Sequence, residues 1–182
     1  MKTILIAGLG NPGKKYAHTR HNVGFVFADY FFEKFHEEFR LSDWKLDRKL
    51  KSEISIGKIG KEKIILLKPQ TFMNLSGEAV AAAKEYYKVT LDNIIIAHDD
   101  IDLLLGKYKI SVASSSAGHN GAQNIIDMLG TKNFGRLRIG IENRTDKTKI
   151  PTEKYVLGKF TAAEMKIISK LFPSIFKEFT KT

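Results

Sequence analysis

The chain has 182 residues, 43% hydrophobic and 27% charged, and its 30 Lys and Arg against 20 Asp and Glu give a formal net charge of +10. That balance fits one globular domain with a substantial core, and the basic excess favours a polyanionic partner, nucleic acid above all. With no cysteine, a thiol nucleophile, a thiolate metal site and a disulfide are excluded, which fits a reducing compartment such as the cytoplasm.

Thr3–Leu9 is a short apolar run and reads as a buried strand, too short for a signal or membrane segment. Gly8 to His18 is a turn-rich loop. From His21 to Phe39, Val23, Phe27, Tyr30, Phe31, Phe35 and Phe39 recur at helical spacing. Ser52–Ile59 alternates as a half-exposed strand, and Lys63–Leu67 is an apolar strand stopped by Pro69. Gly77–Lys88 is Ala-rich and helical. Asn93–Ala97 is a strand that delivers His98-Asp-Asp at its end. Tyr108–Val112 is a strand, Asn120–Leu129 a helix closed by Gly130, and Leu137–Ile141 a strand. Thr161–Phe179 is a final helix bent or broken by Pro173. Between them, Ala113–Gly118 reads as a mobile site loop. Strands alternating with helices predict an α/β fold: one domain over residues 1–182, a three-layer sandwich with a twisted mixed sheet flanked by helices.

Gly8-Leu-Gly-Asn-Pro-Gly13 follows a strand and formally matches a dinucleotide-binding fingerprint. That motif needs a helix opening at the glycines and an acidic strand end some 20 residues on. Here Pro12, Lys14, Lys15 and Tyr16 prolong the loop, and Asp29 falls inside a helix, so a nucleotide-dependent oxidoreductase is disfavoured. His21 sits at a helix start, with Thr19 or Asn22 as candidate cap; the helix dipole there would help keep the imidazole neutral. Asn74 and Ser76 open another helix and could be simple caps. His98-Asp-Asp-Ile-Asp102 puts carboxylates at a strand end, either a site or a solvated acidic turn. Gly118-His-Asn-Gly121 offers free N–H groups at a helix mouth, or an Asn cap. His18, His21, His98, His119 and Asp99 could in principle hold a metal, but no metal-binding spacing supports it, so no metal or cofactor is expected.

These motifs stand in one order, with Asn-Phe-x-Arg-Leu-Arg-Ile-Gly-Ile at residues 133–141. From Thr3 to about Lys159 the chain resembles the bacterial-type peptidyl-tRNA hydrolase family. The resemblance implies a cytoplasmic enzyme that hydrolyses the ester between a peptide, or an N-blocked amino acid, and tRNA. It implies His21 as catalytic histidine and Asp99 as its acidic partner. Asn11, Asn74 and Asn120 would position substrate and water, with Tyr16 and Met73 lining the site. Arg138 would be half of a clamp for a tRNA phosphate. The family's second clamp position falls on Ser111, so Lys109 is the candidate substitute, and the segment after Thr161 is short for the family.

The chemistry is plausible on the residues alone. An ester can be cleaved by water if a base is present, and a neutral histidine suits that near pH 7. No G-x-S-x-G elbow points to a serine nucleophile. Residues 132–159 carry eight basic and three acidic side chains, half of the net charge, as sequence-independent binding to tRNA phosphates requires. The rival from another class is an RNA-binding module without catalysis. Nothing marks a self-association surface, so a monomer is expected.

Overall fold

A computed structural model describes residues 2–179. Its strands are β1 (Thr3–Gly8), β2 (Lys45–Asp47), β3 (Ser52–Ile59), β4 (Glu62–Pro69), β5 (Ile94–Leu104), β6 (Tyr108–Val112) and β7 (Gly135–Glu142). They form one seven-stranded sheet in the order β2-β3-β4-β1-β5-β7-β6. The central four, β4, β1, β5 and β7, are parallel, and antiparallel strands close both edges. The mixed α/β sandwich expected from the sequence is therefore present.

The strands read as unbroken apolar runs because both sheet faces are covered. In β1, Ile6 joins a core with α1 (Val23–Phe35) and α5 (Ala162–Phe179), while Leu5 and Ala7 join the opposite core with α2 (Ser76–Tyr87) and α3 (Asn120–Leu129). The first core is aromatic: Phe27 stacks on Phe176 at 5.4 Å and meets Phe172 edge-on at 5.5 Å.

Four boundaries differ from expectation. The His21–Phe39 periodicity covers a 3₁₀ turn at Arg20–Asn22, helix α1 to Phe35, and a further turn with Arg40 in the left-handed region. That turn keeps helix-like bonds (Phe39 N–H to Phe35 O), so Phe39 stays on the buried side and the pattern outlasts the helix. Pro69 is the last residue of β4 rather than its stop, because pairing with β1 has already ended at Leu67 and no ladder donor is needed there. Helix α5 continues through Pro173, which lies on its exposed side. Strand β5 runs on through His98-Asp-Asp instead of ending before it. The short strand β2 and a five-residue helix, α4 (Thr152–Val156), had no visible sequence period. No described helix is long and apolar enough to cross a membrane.

Candidate active site

Strand β5 pairs with β1 only as far as Ala97, while its pairing with β7 continues to Leu104. His98, Asp99 and Asp100 thus lie past the carboxyl end of β1, at the edge of the parallel sheet where sites form. Strand alternation sends Asp99 to one face and His98 and Asp100 to the other.

The loop after β1 brings His21 to Asp99. Gly8 lies so close to helix α1 that a Cβ there would be 2.1 Å from Gly24 O. This glycine serves close strand–helix packing, and the disfavoured dinucleotide reading finds no helix opening at the motif. Asn22 clasps the loop: its Oδ1 accepts Asn11 N–H at 2.9 Å and its Nδ2 donates to Asn11 O at 2.9 Å. Neither Thr19 nor Asn22 caps a helix with its side chain. Residues 158–160 brace the other side, with Arg20 N–H on Gly158 O and Phe160 N–H on His18 O. Arg20 also reaches the Glu164 carboxylate at 2.9 Å and lies over the Tyr155 ring at 4.2 Å.

At the centre, His21 Nδ1–H donates to Asp99 Oδ1 at 2.8 Å, and His119 Nε2–H donates to the same oxygen at 2.8 Å. Both rings must be donors because a carboxylate only accepts. Burial alone would raise the Asp99 pKa, but the adjoining His119 and His21 and their hydrogen bonds hold it well below the usual carboxylate range. Burial pulls the His21 pKa down, and the Asp99 charge and hydrogen bond outweigh it, leaving it raised. The expected dipole effect on His21 is therefore overridden by a carboxylate in direct contact, which raises its pKa above the ordinary value. His21 Nε2 has no partner among the described residues, and the ring lines a cavity of about 380 Å³ shared with His119, Asn120, Ser116 and Glu153.

His119 caps α3 through its ring: Nδ1 accepts Ala122 N–H at 3.1 Å. Of the two readings of this helix mouth, the cap thus falls to His119 and not to Asn120, whose exposed side chain has no hydrogen-bond partner among the described residues. Asn74 is likewise exposed and caps nothing; the helix behind it opens without a side-chain cap. Asn11 is buried, and its Oδ1 accepts Met73 N–H at 2.8 Å, which leaves its Nδ2 as the free polar end. Met73 is buried in the core against Gly121, so it supports the site from beneath. Tyr16 is half-buried and meets the exposed Phe72 edge-on at 6.1 Å.

His21, Asp99 and His119 offer three potential metal ligands within 4.8 Å. The donor chemistry fits poorly. His119 Nδ1 already takes an N–H, so its proton sits on Nε2, the nitrogen a metal would need bare. His98 takes no part: buried, its Nδ1–H donates to Asp99 O at 2.7 Å. Burial, chiefly, and neighbouring His119 push its pKa well below the ordinary value, against the raising influence of Asp99.

The phosphate-clamp candidates lie on one sheet face. Lys109 and Arg138 are direct cross-strand partners on β6 and β7, as are Ser111 and Arg136. Arg138 forms an ion pair with the buried Asp100. Arg136 is buried and donates to Ser114 Oγ and Ser115 O, tethering the loop read as mobile, while Ser111 Oγ bonds Ser114 Oγ at 2.9 Å. Within the basic run 132–159, Arg144 and Lys147 share Glu142 and Lys149 meets Asp146, which leaves the run strongly positive.

Sequence reasoning missed His119 as second donor to Asp99, Asn22 as loop clasp and Arg136 as loop tether. The sequence offers Asn22 as a candidate helix cap, His119 as a possible metal ligand and Arg136 only within the run at residues 133–141, because each role depends on contacts between distant segments.

The family model described as peptidyl-tRNA hydrolase matches residues 5–182. Among similar curated proteins are a peptidyl-tRNA hydrolase of Caldanaerobacter subterraneus, 47% identical over 91% of this chain and 85% of its own, and one of Clostridium novyi, 42% identical over 93% and 85%. A crystal structure of the peptidyl-tRNA hydrolase from Acinetobacter baumannii superposes with a TM-score of 0.82 at 34% identity, covering 94% of this chain and 83% of that one.

Proposed function

Since the chain belongs to the peptidyl-tRNA hydrolase family, we propose that it cleaves the ester joining a peptide, or an N-blocked amino acid, to tRNA, with water activated by His21 as nucleophile. The observation that carries the reading is the His21 Nδ1–Asp99 Oδ1 hydrogen bond of 2.8 Å, which leaves His21 Nε2 as an unpartnered acceptor at the cavity. Nε2 takes a proton from water as the oxygen attacks the ester carbonyl, and Asp99 stabilises the imidazolium that forms. Such base assistance contributes roughly 10²–10⁴ in rate. Asn120 and Asn74, with side-chain amides free, are the candidate donors to the developing oxyanion and to the water, each worth on the order of 10²–10³. The free tRNA 3′ hydroxyl leaves with the proton returned from His21.

Asn11 is the proposed reader of the acyl amide, through its free Nδ2. An amide differs from an ammonium in charge and in hydrogen bonding, so peptidyl and N-blocked substrates are cleaved and free aminoacyl-tRNA is spared. The reaction is assigned to a cytoplasmic monomer working without metal or cofactor, with Arg138 and Lys109 gripping a tRNA phosphate. Release of the amino acid from acetylated and unacetylated forms of one aminoacyl-tRNA, with and without chelator, tests this. Cleavage of the acetylated form alone, indifferent to chelator, is expected. Equal cleavage of both forms would refute the selectivity, and loss of activity with chelator would refute the water–histidine mechanism.

A further inference from the structure

Open positive charge is not confined to residues 132–159, where four of the eight cations are ion-paired. One concentration is the β2 edge of the sheet. Lys45, Arg48 and Lys49, on β2 and the turn after it, are exposed and have no ion-pair partner among the described residues. They line a shallow groove together with Leu46, Tyr86 and Tyr87. The one carboxylate in it, Asp47, is turned inward to the backbone N–H groups of Lys49 and Leu50. Tyr86 is 67% exposed and Leu46 59% exposed. Tyr86 is held edge-on by Tyr87 at 4.8 Å, and Tyr87 is in turn fixed under Lys63 Nζ at 4.5 Å. An aromatic ring so oriented, beside free cations, is the arrangement that stacks an unpaired base while neighbouring side chains hold its phosphates.

We propose that this groove is a second RNA contact, taking a single-stranded stretch with one base stacked on Tyr86. It rests on the reading of the chain as an enzyme acting on an RNA-linked substrate. The site is separate from the Lys109–Arg138 pair: β2 and β6 are opposite edges of a seven-stranded sheet, on the order of 30 Å apart. Asp47 pairs with Ser52 and Ser52 with Pro69, so the turn at 48–51 lies at the carboxyl end of β4, the end of the sheet that carries His21 and Asp99. An RNA held at the catalytic cluster reaches the cations of that turn first; Tyr86, on the last turn of α2 beside Tyr87 and Lys63 at the start of β4, lies further along the groove.

The test is binding of a labelled oligouridylate and of deacylated tRNA across a salt series, with hydrolysis of a minimal ester substrate measured alongside. Tyr86→Ala is expected to weaken oligouridylate binding about tenfold and Tyr86→Phe to retain it, since stacking needs the ring and not the hydroxyl. Replacing Lys45, Arg48 and Lys49 together by Ala should reduce the salt slope by about two, as three phosphate contacts on a single strand require. Lys58→Ala with Lys61→Ala, exposed lysines near the end of β3 and on the turn to β4, should leave binding unchanged. Minimal-ester hydrolysis should be unaffected by all of these. No oligouridylate binding by the wild type, or equal losses in groove and control variants, would overturn the proposal. Absent hydrolysis by a wild type that still binds RNA would instead overturn the catalytic reading.

Discussion

His119 Nδ1 accepts the backbone N–H of Ala122 at 3.1 Å. That contact sets the tautomer of His119: the proton sits on Nε2, and Nε2–H donates to Asp99 Oδ1. A second proton on the ring would set N–H against N–H at the mouth of α3. Of the two histidines that share Asp99, only His21 keeps a ring nitrogen free for proton transfer, so the helix cap distinguishes the base from the fixed donor.

His119→Ala should therefore tune His21 rather than abolish turnover. Removing a donor leaves the Asp99 charge less shared and its hold on the His21 imidazolium stronger. The acid limb of the kcat/KM–pH profile should move to higher pH, by up to about one unit. A profile with its acid limb unmoved would show that His119 supports only the fold.

Asp99→Asn has the opposite sign. The carboxylate raises the His21 pKa, so its loss should move the acid limb to lower pH and reduce activity less than His21→Ala does. An identical acid limb in wild type and variant would mean that the 2.8 Å contact does not couple the two side chains in solution.

The Arg20–Glu164 pair makes a prediction about stability. Glu164 is nearly buried; burial would raise its pKa, but Thr161 N–H and the Arg20 guanidinium hold it lowered. A depressed carboxylate contributes stability that is present above its unfolded pKa of about 4.3 and is lost as pH falls through the lower folded value. Glu164→Gln should cost about 2–4 kcal/mol at neutral pH, allowing for partial exposure, and flatten the decline in stability below about pH 4. Denaturant unfolding at several pH values measures both.

Much of the sheet was legible because strands buried on both faces leave unbroken apolar runs, such as Ile64–Leu67, and because Gly130 marks the end of α3. Strand β2 was not, since three residues, two exposed and one half-buried, are too few to carry a period. The end of β5 was misplaced because His98-Asp-Asp looks like a polar turn; it remains a strand only because β7 pairs alongside it. His21 and Asp99 were found through their motifs, 78 positions apart. The partnering of Arg138 with Asp100 and of Arg136 with the serine loop needed three dimensions, since either arginine reads from sequence as an open phosphate ligand.

The Asp100 partnership sharpens the clamp prediction. Arg138→Ala should weaken kcat/KM on full-length tRNA substrates more than Lys109→Ala, because a guanidinium grips phosphate in a fork and an ammonium as a point charge. It should also lower the salt slope by about one. The variant leaves Asp100 buried without its cation, at a stability cost of about 3–5 kcal/mol, so thermal stability must be read alongside. Loss on full-length substrate with a minimal ester unaffected assigns Arg138 to the tRNA. Equal loss on both substrates assigns it to the fold.

The most direct test of the central claim is His21→Ala, followed by single-turnover hydrolysis of N-acetylaminoacyl-tRNA and by a binding titration on the same preparation. Removing the base affects the transition state more than the ground state. The expected result is a rate loss of roughly 10²–10⁴ with tRNA affinity retained within a few-fold. Near-wild-type cleavage by the variant would contradict the assignment of His21 as the base that activates water.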